Sequence, residues 1–384
     1  MPGFSRALCA AVAAVVAASG IAFAVPDATA KSGTQPGSLV SAAPLADGLR
    51  LPGADDAERV TYWSVGSDGA PALASGAYFL PEGAPPPGGW PVIAWAHGTS
   101  GLADHCAPSL VGPALPERDN PYLTAWLAHG YAVVASDYVG LGTPGPHPYL
   151  DVEVEAHSIV DMVRASRAAA PAISNRWAVV GQSQGGGAAI ATARYATEFG
   201  RPDLDYRGAV GTGVPAYLEN VLLPLGPGVP PAALPAGLTS YVFYILAGLR
   251  GAHPELDIDS YLTPLGRTLV DDAENQCTDQ AHRTAEGVVL GDVFSRPLGA
   301  IPHAHDVLAD YMGLAENGYD RPLFIGQGLT DIDVPAPGAL GLAAAMTANG
   351  QPVTLRVYNA DHSATFTASQ QDAIPFVDGL FQGV

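Results

Sequence analysis

Gly181-Gln182-Ser183-Gln184-Gly185 constrains this chain more than any other stretch. It follows a short apolar run, Trp177-Ala178-Val179-Val180, and precedes a small-residue segment, Gly186 to Ala193, that can open a helix. Strand, G-x-S-x-G, helix is the layout of a nucleophile elbow. A serine there stands on a sharp turn, where side chains two positions before or after it would collide. The turn lifts the hydroxyl above the sheet edge. The helix N-terminus aims N–H groups and a partial positive charge at a developing oxyanion. In a chain with 45 glycines the pattern alone says little. Its position between strand and helix gives it meaning.

The rest of the chain alternates between two periods. Arg59 to Val65 alternates, and Ala72 to Leu80 pairs with it across the Gly66–Gly69 turn. Further strands are predicted over Pro91–Ala96, Tyr131–Ser136, Trp177–Val180, Gly208–Gly211, Pro322–Gly326 and Pro352–Tyr358. Helices are predicted over Pro121–Ala128, Val154–Ala169, Gly338–Ala348 and Asp372–Phe381, besides the one after the elbow. Such alternation implies an α/β fold with a mostly parallel, doubly wound sheet. One interruption, residues 215–305, opens with Pro224, Pro227, Pro230, Pro231 and Pro235 and holds an apolar helix candidate, Tyr241–Leu246. It is far longer than an ordinary connection. It is a candidate cap over the active site, set between two core parts, 58–214 and 306–384. Residues 25–57, rich in Ser, Pro, Gly and Ala, read as a loosely ordered lead-in.

The chain has 384 residues, 48% of them apolar, enough for one large core. A net charge of −20 with only 17 Lys and Arg excludes a basic nucleic-acid face. The N-terminus reads as an export signal over residues 1–24. Arg6 supplies the charge and Ala7 to Ala24 the apolar stretch. Cleavage sites follow Ala24 and Ala30, and an uncleaved anchor is the alternative. No other span reaches the roughly 18–20 apolar residues of a membrane helix. The mature protein is therefore expected outside the cytoplasm, with no stable membrane span. Without Cys9 of the signal, Cys106 and Cys277 remain. An even pair in an exported chain suggests one disulfide, with two buried thiols as the alternative. The bridge would close about 170 residues and contribute about 5 kcal/mol.

A serine hydroxyl needs a base, and the base needs an orienting carboxylate. The chain order expected for this elbow is Ser, then Asp or Glu, then His. Of the histidines that follow Ser183, only His362 stands just after a predicted core strand. His303 and His305 read as a polar edge of the insertion. Their H-x-H spacing has no accompanying cysteine or carboxylate set for a metal. The loop Gln327-Gly328-Leu329-Thr330-Asp331-Ile332-Asp333 offers two carboxylates, and Asp331, the first, is favoured over Asp333. The oxyanion hole needs two backbone donors. Gln184, after the nucleophile, supplies one. Thr99, in His97-Gly98-Thr99 after the first parallel strand, supplies the other, with Gly98 as the alternative. His97 is expected to orient that loop.

His97-Gly98-Thr99, Cys106-Ala107-Pro108-Ser109, Asp137-Tyr138-Val139-Gly140-Leu141-Gly142, the elbow and Asp331-Ile332-Asp333-Val334-Pro335 together resemble the secretory lipase family, the lipase A type of α/β-hydrolase. The likeness covers roughly residues 45–384. It implies a triad on Ser183, Asp331 and His362, a disulfide between Cys106 and Cys277, and a helical cap matching residues 215–305. It also implies carboxylic-ester hydrolysis, with acylglycerols as one substrate class met at a lipid–water interface. No metal or organic cofactor is implied. Some relatives carry an acidic residue where this chain has His97-Gly98-Thr99, and from the short stretch after His362 the C-terminal flap or second disulfide of longer relatives is expected to be absent. Rival readings are an esterase for short-chain, polyester or polysaccharide esters, a serine peptidase, and a non-catalytic binding protein. A phosphate-binding loop is disfavoured because no G-K-[ST] follows the glycines.

Overall fold

The computed structural model describes residues 33–229 and 234–382. The export-signal reading over residues 1–24, and Cys9, lie outside the described residues. Among those described, nine strands form one sheet: β1 Leu39–Pro44, β2 Ala54–Val65, β3 Pro71–Pro81, β4 Trp90–Ala96, β5 Ala132–Val139, β6 Ile173–Gln182, β7 Asp205–Thr212, β8 Leu323–Gly328 and β9 Val353–Tyr358. Their spatial order is β1-β2-β3-β5-β4-β6-β7-β8-β9. The first three strands and β5 pair antiparallel; from β5 through β9 every pairing is parallel.

The parallel strands β4 to β8 are buried on both faces, as crossover helices require, while β9 is the partly exposed edge. In β4, Val92, Ala94 and Ala96 point to one layer and Ile93 and Trp95 to the other, the period of two of an extended chain. The first layer holds α3 (Val152–Ala169) and α4 (Gln184–Gly200), which bring Ile159, Met162, Val163 and Ile190 to the sheet. The helix α11 (Ala336–Ala348) adds Leu342 and Met346. The second layer holds α2 (Pro116–Ala128) and α12 (His362–Gln382), with Trp126, Tyr122 and Phe366 at its centre. A four-residue helix, α1 (Pro108–Val111), follows β4.

Between β7 and β8 the chain leaves the sheet and forms α5 (Leu218–Leu222), α6 (Ala236–Ala252), α7 (Pro264–Ala273), α8 (Thr278–Thr284), α9 (Leu290–Val293) and α10 (Ala304–Met312). These helices share an apolar cluster of their own, built on Phe243, Leu246, Leu249, Val270, Phe294 and Leu308.

Three boundaries differ from the sequence reading. Part of the lead-in, Leu39–Pro44, is an edge strand on β2. Five of its six residues are exposed, so no apolar alternation marks it. The helical insertion runs past residue 305, because Leu308, Tyr311 and Met312 belong to its cluster. The helix expected from Asp372 begins at His362, where Asp361 Oδ1 accepts from the Ala364 N–H at 2.8 Å, an N-cap bond.

Candidate active site

The elbow has the geometry that its residues require. Ser183 lies between β6 and α4 with φ 59° and ψ −125°, a backbone state costly for a residue with a Cβ. Its N–H donates to the Thr212 carbonyl of β7 at 2.9 Å, which holds the turn against the sheet. A Cβ on Gly181 would run into the Gly185 carbonyl, and one on Gly185 into the Ala96 carbonyl. Gln184 is the first residue of α4, so its N–H has no acceptor within the helix.

His362 and Asp331 come together. His362 Nδ1 donates to Asp331 Oδ2 at 2.7 Å, and both residues are buried. Asp331 Oδ1 accepts from the N–H groups of Asp333 and Val334 at 3.0 and 2.8 Å. Gln327, at the end of β8, adds an amide donor to Oδ2 at 3.4 Å. Both oxygens act only as acceptors, as those of a carboxylate do. Asp333 lines the neighbouring cavity and makes no bond to the imidazole.

The second imidazole nitrogen does not meet Ser183. His362 Nε2 takes a hydrogen bond from the Gln182 side-chain amide at 2.9 Å, and among the described residues Ser183 Oγ has no partner. Because an amide N–H must donate, Nε2 accepts, and the proton of the neutral ring sits on Nδ1 beside Asp331. That is the tautomer a general base needs. Gln182 is 1% exposed and directly precedes Ser183, so the imidazole lies one residue from the elbow serine.

The loop after β4 approaches from the other side. A Cβ placed on Gly98 would stand 3.5 Å from Ser183 Cβ. The Thr99 N–H has no hydrogen-bond partner among the described residues. The Thr99 hydroxyl pairs with Tyr149 OH at 2.6 Å. The Thr99 carbonyl accepts from Thr278 Oγ1 at 3.1 Å, and the Ser100 carbonyl from Thr278 N–H at 3.1 Å. Cys106 and Cys277 are joined by a disulfide. The loop is thus fastened to the start of α8. His97 is buried with Nδ1 2.7 Å from the Gly98 carbonyl, which suits an orienting role. Burial lowers its pKa. Asp137 accepts from Ser75 Oγ at 2.7 Å, from the Ser109 N–H at 2.9 Å and from the Ser109 hydroxyl. The D-Y-V-G-L-G and C-A-P-S segments therefore touch.

An apolar cavity of about 510 Å³ opens beside Ser183 and Gln184. Its walls include Leu218, Leu222, Leu238, Val242 and Ile245 of the helical insertion. His303 and His305, exposed at the start of α10, stand apart from it. Asp331, Asp333 and His362 are close enough to share a cation, but the Asp331–His362 bond and the two backbone donors already use the facing atoms.

Sequence reasoning missed Gln182, Gln327, Tyr149, His147 and Glu155. Gln182 and Gln327 carry a faint signal, since a polar side chain at the end of a fully buried strand must find a partner. The other three follow no local pattern.

A mostly parallel sheet with this elbow is that of an α/β-hydrolase, and the family match makes the chain a carboxylic ester hydrolase of the lipase and esterase type. The secretory lipase family model matches residues 115–383, and the chain belongs to that family. Among solved structures it is similar to Candida antarctica lipase A in its closed state, with TM-score 0.74 and 20% identity over 91% of this chain and 83% of that one. It is also similar to the rice cell wall degrading esterase LipA from Xanthomonas oryzae, with TM-score 0.69 and 20% identity over 89% of this chain and 97% of that one. At such identity these likenesses speak to the fold. No curated protein matches the sequence.

Proposed function

We propose that this chain is an exported serine esterase of the lipase type, acting through Ser183, His362 and Asp331. Ser183 Oγ attacks the ester carbonyl while His362 Nε2 takes its proton. Gln182 gives up Nε2 at this step, since catalytic hydrogen bonds often tighten only once substrate is bound. Asp331 holds the tautomer and stabilises the imidazolium. The N–H groups of Thr99 and Gln184 stabilise the oxyanion. His362 then protonates the leaving alcohol, and water, activated by the same imidazole, hydrolyses the acyl-enzyme. The observation that carries this reading is the unbroken hydrogen-bonded chain from Asp331 through His362 to Gln182, the neighbour of a strained serine.

The cavity speaks for an ester with an apolar acyl chain, and the helical insertion that walls it acts as a cap. The disulfide and the N-terminal apolar stretch speak for export. Turnover of p-nitrophenyl esters from two to sixteen carbons, and of emulsified triglyceride, tests the substrate class. Turnover of long chains and emulsion supports a lipase. Turnover confined to the shortest esters leaves an esterase for short-chain or polysaccharide esters. Ser183→Ala should lower kcat by about four orders of magnitude or more with thermal unfolding nearly unchanged. Retained turnover would mean that another residue is the nucleophile.

A further inference from the structure

Two buried titratable groups near the elbow have no part in the proton transfers above. Gln184 Nε2 donates to Glu155 Oε1 of α3 at 2.7 Å, and its amide nitrogen also lies 3.3 Å from His147 Nε2. His147 Nδ1 donates to the Val139 carbonyl at 2.9 Å, which leaves the Nε2 lone pair free to accept. One amide group is therefore gripped at both hydrogens, and all three side chains are buried. The grip continues to the other half of the oxyanion hole. The Tyr138 ring stacks on His147 at 5.9 Å, and its hydroxyl donates to the His97 carbonyl, next to Gly98 and Thr99, at 3.0 Å.

On the reading of Ser183 as nucleophile, we propose that Glu155 is a positioning residue for the oxyanion hole. With His147 it fixes the Gln184 side chain, and so the direction of the Gln184 N–H, and its ionisation weakens the hole. Orientation and charge act together. A backbone N–H stabilises an oxyanion only when it is aimed beforehand, and Gln184 is aimed by its own side chain. A negative charge on Glu155 would sit behind that N–H, in the apolar interior, and oppose the charge forming in front of it.

The surroundings keep Glu155 neutral. Burial pushes its carboxyl up to about 8, against the Gln184 bond, and Asp151 at the start of α3 pushes the same way. The other titratable groups that face it are phenols and an imidazole. Tyr138 comes from β5, Tyr149 and His147 from the loop after it, and Tyr311 from α10. Burial holds His147 down to about 4, so it too is uncharged. None of the groups acting on Glu155 is a cation.

The test measures kcat and KM from pH 6 to 10 on a soluble p-nitrophenyl ester, with mass-spectrometric identification of the residue labelled by a fluorophosphonate. Labelling of Ser183 in the wild type checks the underlying reading separately. The wild-type kcat should fall by about tenfold above pH 8, the loss expected when an oxyanion donor is weakened. Glu155→Gln, whose amide carbonyl still accepts from Gln184, should keep one kcat across that range. Glu155→Leu should lower kcat by about ten- to a hundredfold, less than the hundred- to thousandfold of a donor lost outright, with little change in KM. Adding Gln184→Leu should cost nothing further, because both changes break one contact. An alkaline fall shared by wild type and Glu155→Gln would overturn the proposal, as would additive losses. If Glu155→Leu does not fold, the Glu155→Gln profile decides alone.

Discussion

At the carboxyl ends of β6, β8 and β9, polar side chains are buried and point at one another: Gln327 at Asp331, Asp331 at His362, His362 at Gln182. In the helical insertion, Glu219 of α5 apart, the carboxylates lie toward solvent. Arg250 reaches Asp259, Asp271 and Glu274 at 3.0, 2.8 and 2.7 Å, and all three acids are exposed. Such surface pairs contribute little to stability. The insertion is held by its apolar cluster and by its fastening to the loop after β4. The sheet region fixes the direction of individual atoms, whereas the insertion fixes a shape. Damage to the first should appear in kcat, and damage to the second in stability and acyl preference.

The sharpest way to break this contrast is Asp331→Asn. Loss of the carboxylate should lower kcat about 10⁴-fold, as when the orienting acid of a triad is neutralised, while preference among acyl lengths stays as it was. A parallel shift in that preference would show that the two regions do not divide the work. Next comes the fastening. Cys106→Ser with Cys277→Ser should cost up to about 5 kcal/mol of unfolding free energy in urea titrations, the chain-entropy value for so long a loop. An equal midpoint with and without the bridge would mean that packing alone secures the insertion.

The buried polar framework also sets a pH dependence of stability. Burial lowers the His147 pKa from 6.5 to about 4. Between those values the unfolded chain binds a proton that the folded one does not. The His147 contribution is thus present in full above about 6.5 and is lost as pH falls through about 4, roughly 3 kcal/mol in all. Glu155, raised to about 8, runs the opposite way, and its contribution is lost as pH rises through about 8. Because the two slopes oppose each other between about 4.5 and 6.5, the His147 loss is read as the difference between wild type and His147→Gln in chemical denaturation from pH 3.5 to 7. An identical curve would place that titration elsewhere. The smallest effect belongs to the cavity wall. Ile245→Ala should weaken kcat/KM for the best acyl chain by about 1–3 kcal/mol, the worth of a few methylenes in an apolar pocket, with little change for acetate esters. Equal loss on both would remove Ile245 from the acyl site.

Much of the sheet was legible because its strands and crossover helices obey simple periods. Val92 to Ala96 could only be a buried strand, and Ile159, Met162 and Val163 could only share a helix face. Ser183, Asp331 and His362 followed from one short motif and the chain order it imposes. Leu39–Pro44 escaped because its partners, not its composition, make it a strand. The start of α12 at His362 is marked only by Asp361, a capping residue, ten residues before the stretch predicted as helix. The amide and carboxyl contacts were beyond reach. Gln182 meets His362 across 180 residues and Gln184 meets Glu155 across 29. Such pairings are decided by how finished strands and helices stack, and no local pattern encodes them.

The attachment of Thr278 and Cys277 to residues 99–106 has a mechanical consequence. It adds a tie to the loop after β4, while the chain connections after β7 and before β8 and the Tyr311–Tyr149 contact hold the insertion elsewhere. Val221 and Leu234, which line the cavity, stand 62% and 44% exposed. On the proposed lipase reading, an ester arriving from an oily droplet would meet those greasy residues at the cavity wall.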